Sequence, residues 1–158
     1  MTLLPFRFRR RRRGNAMLEF AIASSVLIPV FSGSFQFGYT LYQYNLLSAA
    51  IANGARYGSN RTFRSANGGA DLTKVKLAIQ NVVVYGSPSG GSTPQVKGLA
   101  TSNVAVTFST TTTGVPKSLT VSVSNFTIDG IFKSHTFTSS PTLTYPYTGR
   151  YAPEEAEP

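Results

Sequence analysis

Few residues in this 158-residue sequence have types and spacings that could do chemistry, and the sharpest group stands near its start. Gly14, Asn15, Ala16, Met17, Leu18, Glu19 and Phe20 place a glycine five residues before a glutamate. The glycine closes a block of arginines, Arg9, Arg10, Arg11, Arg12 and Arg13, and the glutamate opens an apolar run. A carboxylate inside hydrocarbon costs a few kcal/mol, so Glu19 calls either for a partner or for a shallow position one turn inside a helix N-terminus. Elsewhere the candidates thin out. His135 is the only histidine and falls on a predicted strand; Asp71 is assigned to a helix cap and Asp129 to a turn, and the other three acids lie in the last six residues. No carboxylate pair is available to divide acid and base roles, and no His/Cys cluster to ligate a metal. No serine sits in a G-x-S-x-G elbow, and glycine-rich Gly86 to Gly91 lacks the lysine of a phosphate loop. The expectation is a protein that is not an enzyme and needs neither cofactor nor metal.

The elements that must position the Gly14–Glu19 group follow from charge and hydropathy. From Ala16 to Tyr39 there is a single charge, Glu19, in twenty-four residues. At about 1.5 Å of rise per residue this makes roughly 36 Å of helix, enough for a hydrocarbon layer of about 30 Å. The net charge is +9, but six of the fifteen basic residues lie between Arg7 and Arg13. Such a run beside an apolar helix is a topology signal that keeps its end in the cytoplasm, rather than a nucleic-acid arm. A cleaved secretory signal, cut near Ser32 or Ser34, is the plainer alternative, although its apolar region normally ends after about 7 to 15 residues. Cysteine is absent, so disulfides are excluded.

Over about residues 9 to 58 the sequence resembles the TadE-like proteins, small pilin-related subunits of tight-adherence (Tad or Flp-type) pili and related secretion systems. The resemblance rests on the basic leader ending in Gly14, on Asn15, Glu19 and Phe20, on Pro29, on the Phe37-Gly38 pair and on Gly54-Ala55-Arg56-Tyr57. Gln36 stands where the family often has an acid before the Phe-Gly pair. The resemblance implies a prepilin-type leader, residues 1–14, removed by a prepilin peptidase between Gly14 and Asn15. It also implies an inner-membrane assembly platform and other pilin-like subunits as partners, with the lipid bilayer as surroundings and no nucleic acid. A new ammonium on Asn15 would offset the burial of the Glu19 carboxylate.

The expected architecture is α+β and pilin-like. A long helix over about residues 15–58, with its transmembrane part at 16–39, precedes a small antiparallel β domain to about residue 151 that carries one short helix. Pro29 should kink the long helix. Its aromatics, Phe31, Phe35, Tyr39 and Tyr42, suit an interfacial belt. Beyond the span, Tyr39, Tyr42, Leu46, Ala49, Asn53 and Arg56 repeat at heptad-like spacing, and Ala50, Gly54 and Gly58 repeat every fourth residue. Such a face can pack along another subunit's helix or on the chain's own β domain. Gly58 to Gly69 should be a loop, and Asp71 should cap a helix reaching about Tyr85 with Leu72, Val75, Ile79, Val82 and Val83 inward.

Gly86 to Gly98 reads as a loop. Val104, Val106 and Phe108, then Leu119, Val121 and Val123, alternate with polar residues as two strands joined by a turn from Thr110 to Pro116. Phe126 and Ile128 change phase, so a bulge or new strand begins at Asn125. Asp129-Gly130 is a short-hairpin signal. Leu143, Tyr145 and Tyr147 make an edge strand flanked by prolines. Residues 152–158 form an acidic tail expected to lack structure. Two functions fit: a minor pilin or pseudopilin assembled through its helix, or a permanently anchored surface or periplasmic binding domain. An enzyme with an unrecognised site is a weaker third.

Overall fold

The computed structural model describes residues 12–64, 68–112, 115–130 and 132–152. Most of the basic block (Arg9, Arg10 and Arg11), the loop residues 65–67, the turn residues 113–114, Ile131 and the tail after Ala152 therefore lie outside the described residues. Helix α1 runs Arg12–Ser59 and continues unbroken through Pro29. The chain divides into two units, one up to Gly38 and one from Tyr39 onward.

In the first unit the helix is apolar on every side, which is the pattern of a helix with no aqueous face. Phe20 is 74% exposed and Phe31 67%, and Leu18, Ile22, Leu27 and Ile28 are also open. Ser25 Oγ donates to the Ile22 carbonyl at 2.7 Å and Ser34 Oγ to Val30 at 2.9 Å. These hydroxyls thus find partners within their own helix, as a non-aqueous surrounding demands.

The second unit is an α+β fold. Its elements are the end of α1, β1 (Phe63–Arg64), α2 (Gly68–Tyr85), β2 (Val104–Thr110), β3 (Pro116–Val123), β4 (Phe126–Ile128), β5 (His135–Phe137), β6 (Thr142–Pro146) and β7 (Tyr151–Ala152). The main sheet has the order β2-β3-β6 and is antiparallel throughout, with Val106 opposite Val121 and Val121 opposite Leu143. Strands β4 and β5 form a separate antiparallel pair. Strands β1 and β7 pair in parallel, a departure from the all-antiparallel expectation.

Period-2 alternation decides which faces are buried. Val104, Val106, Leu119, Val121 and Val123 point inward, and they meet Leu47, Ala50, Ile51 and Ala55 of α1 and Ile79, Val83 and Val84 of α2 in one core. The alternation changes phase at Asn125, whose φ of 52° turns the chain so that Phe126 and Ile128 also face inward. Asparagine tolerates this left-handed conformation better than most residues. The Asn103 side chain fixes the corner, donating to the carbonyls of Ser124 at 3.3 Å and Asn125 at 3.0 Å.

Three expected boundaries need correction. Helix α2 begins at Gly68, so Asp71 is inside the helix and is not its N-cap. Two glycines are each about 1 kcal/mol poorer than alanine in a helix, and the packing of α2 against β1 and β2 outweighs that preference. The Asp129-Gly130 signal does mark a hairpin, but the loop between β4 and β5 runs from Asp129 to Ser134. Ser134 Oγ donates to the Asp129 carboxylate at 3.1 Å across that loop. Finally, Ala152 belongs to β7 and not to the tail.

Candidate assembly segment and processing site

Helix α1 carries every residue of the Gly14–Phe20 group, because no residue between Asn15 and Phe20 is a helix breaker and the helix begins at Arg12, before the group. One helical turn separates Asn15 from Glu19, and the Asn15 Nδ2 amide donates to Glu19 Oε1 at 3.3 Å. That contact follows from the i, i+4 geometry of a helix, which sets such side chains one above the other. The resemblance implies a partner for Glu19 at the backbone nitrogen of Asn15; the structure shows the amide side chain of the same residue as its partner. Glu19 and Phe20 are both exposed on the described chain. Arg12, Arg13 and Gly14 stand in the first turn of α1.

The small residues farther along lie in a different environment. Ala50 is buried, and Gly54 and Gly58 are sites of close approach. A Cβ added at Gly54 would collide with the Val83 side chain of α2, and one at Gly58 would lie 2.5 Å from both Ile79 Cδ1 and Leu119 Cδ2. Of the two packing partners open to this stripe, the chain's own domain takes Ala50, Gly54 and Gly58. They leave no surface for a neighbouring helix. The stripe that stays outward is Tyr42, Ala49, Asn53 and Arg56, with Tyr39 and Leu46 half-buried beside it. Tyr44 turns inward, its ring 5.7 Å from that of Phe137.

The remaining titratable side chains do not converge. His135 is exposed on β5. Among the described residues no three His, Asp or Glu side chains gather where they could hold a metal ion. Among the described residues the second unit has clefts at two places of note. One is lined by Tyr39, Gln43, Lys97, Phe126 and Asp129, and the other by Tyr57, Arg61, Lys74, Val75 and Ala78. Sequence reasoning missed the second, although Tyr57 and Arg61 stand at helical i, i+4 spacing.

The helix from Asn15 contains an 18-residue window of mean hydropathy 1.7, none of it buried in the chain's own fold, and so is long and apolar enough to cross a membrane. Residues 14–56 match the family model described as TadE-like protein. Over this segment the chain is similar to TadE-like proteins. The TadE-like match begins at the glycine before Asn15 and ends at Arg56, inside α1 and before the first strand. The matched residues lie within a helix long and apolar enough to span a membrane once. No curated protein and no solved structure matches the chain.

Proposed function

We propose that the chain is a minor pilin or pseudopilin of a Tad-type pilus or secretion apparatus that serves adhesion. It enters the inner membrane with Arg9, Arg10, Arg11, Arg12 and Arg13 in the cytoplasm and the unit from Tyr39 outside. Prepilin peptidase then cuts between Gly14 and Asn15, and the helix packs laterally against other pilin-like subunits on an assembly platform. The protein has no catalytic role of its own. The observation that carries this reading is the all-round apolar exposure of α1 up to Gly38, joined to a TadE-like match that starts at Gly14. Cleavage would put an ammonium on Asn15 one turn from Glu19, and pairing the two charges offsets much of what each would lose on leaving water. Glu19 would then set the register of subunits, and the exposed ring of Phe20 would pack beside it.

Mass spectrometry of the N-terminus in native membranes tests processing. The expected terminus is Asn15, and Gly14→Ala should abolish it; a chain starting at Met1, or cut near Ser32 or Ser34, refutes the reading. Because the sequence has no cysteine, single cysteines at Ile22, Val26 or Phe31 report helix contacts without background. Disulfide-linked pairs are expected at these exposed positions. Correct processing with no such pairs would favour the anchored binding domain.

A further inference from the structure

The second unit has an uneven charge distribution. Residues 39–152 carry nine lysines and arginines against two acids, Asp71 and Asp129, whereas the six residues after Ala152 carry Glu154, Glu155 and Glu157 and no base. Asp129 is engaged by Ser134 and lines the other cleft. The cleft between the end of α1 and α2 has two cations on its rim. The Arg61 guanidinium stacks 4.3 Å from the centre of the Tyr57 ring and also hydrogen-bonds the Tyr57 hydroxyl, and Lys74 stands across from it on α2. Stacking fixes the guanidinium plane while leaving other N–H donors for a carboxylate.

The topology puts the acidic segment within reach of this place. Ala152 pairs with Arg64, three residues after Arg61. Three extended residues span at most about 10 Å, and paired strands lie about 5 Å apart, so β7 ends within about 15 Å of Arg61. The pairing is parallel, so the chain leaves β7 in the direction in which β1 runs on toward α2. From Ala152, Glu154 to Glu157 reach about 7 to 17 Å when extended. We propose that the chain's own segment Pro153–Pro158 docks in the Tyr57–Arg61–Lys74 cleft, its glutamates pairing with Arg61 and Lys74.

Zero-length carbodiimide crosslinking of the full chain in detergent, read by mass spectrometry, tests this. The expected product joins Lys74 to Glu154, Glu155 or Glu157 within one chain, as shown by mixing isotopically light and heavy protein. Its yield should fall about two- to fivefold in Arg61→Ala, the range of an exposed ion pair, and fall again in about 1 M salt, where the screening length is about 3 Å. As a second measurement on a variant that leaves the cleft intact, replacing all three glutamates by glutamine should speed acetylation of Lys74 by a similar factor while leaving Lys117 unchanged. Glutamate links spread evenly over Lys97, Lys117 and Lys133, a Lys74 link to Asp71 alone, or light–heavy products would each overturn the proposal.

Discussion

The two halves of α1 use the same residue types in opposite ways. Beyond the backbone of their own helical turn, Gly33 and Gly38 have nothing within 4 Å of where a Cβ would stand, whereas Gly54 and Gly58 are pressed against Val83, Ile79 and Leu119. Leu27 is 57% exposed and Leu47 fully buried. Both halves carry Ala, Leu and Gly, and these residues alone do not say which of them will be buried. What differs is the partner: the second half has α2 and the β2-β3-β6 sheet of its own chain, and among the described residues the first half is covered by none. A helix long and apolar enough to span a membrane keeps its apolar side chains on every side. One that already has a partner confines them to a stripe.

Substitutions can break this contrast. Leu119→Ala empties a fully buried position and should cost about 2–5 kcal/mol in denaturant unfolding of the second unit, while Leu27→Ala leaves that transition unmoved. Leu27→Arg should instead impair insertion, by about 2.5–3.5 kcal/mol at the middle of a span, seen as loss of the chain from the membrane fraction with the second unit still folded. Gly58→Val overfills the junction of α1, α2 and β3 and should destabilise by about 1–3 kcal/mol, whereas Gly38→Val, in open space, should not change the melting temperature. Asn103→Ala removes both bonds that hold the Asn125 corner, and a loss of about 1–2 kcal/mol is expected by the same unfolding assay. The smallest effect should come from Thr120→Val. It removes a cross-strand hydroxyl contact to Thr144, 2.9 Å away on an exposed face, and should cost under about 1 kcal/mol.

Local pattern carried most of the fold. The apolar length of the first helix, the two alternating strands at 104–110 and 116–123, and the phase change at Asn125 each depend on neighbours within a few residues, and each stands where the pattern puts it. The start of α2 depends instead on tertiary contact, because Gly68 and Gly69 resist helix on their own. The β1–β7 pair was invisible for a related reason: two residues on each side leave no periodicity, and the partners are far apart in the chain. The outer half of α1 was the hardest part. It has two adjacent apolar stripes, and the positions of α2 and the main sheet decide that Leu47, Ala50, Ile51 and Gly54 face inward while Tyr42, Ala49 and Asn53 stay at the surface. Of the candidate site, the Gly14–Glu19 spacing was plain from residue types alone, whereas the Asn15–Glu19 contact requires a helix that begins before Asn15.

The stitching of the chain's end to the end of α1 has a mechanical meaning. The Tyr147 hydroxyl donates to the Arg61 carbonyl, the Thr148 N–H donates to Ser59 O at 3.0 Å, and Thr148 Oγ1 lies 2.7 Å from Asn60 Oδ1. A pull applied beyond Ala152 therefore enters the long helix at Ser59–Arg61 through this clip. The three-stranded sheet lies in a closed loop of chain behind it and bears no tension until the clip tears.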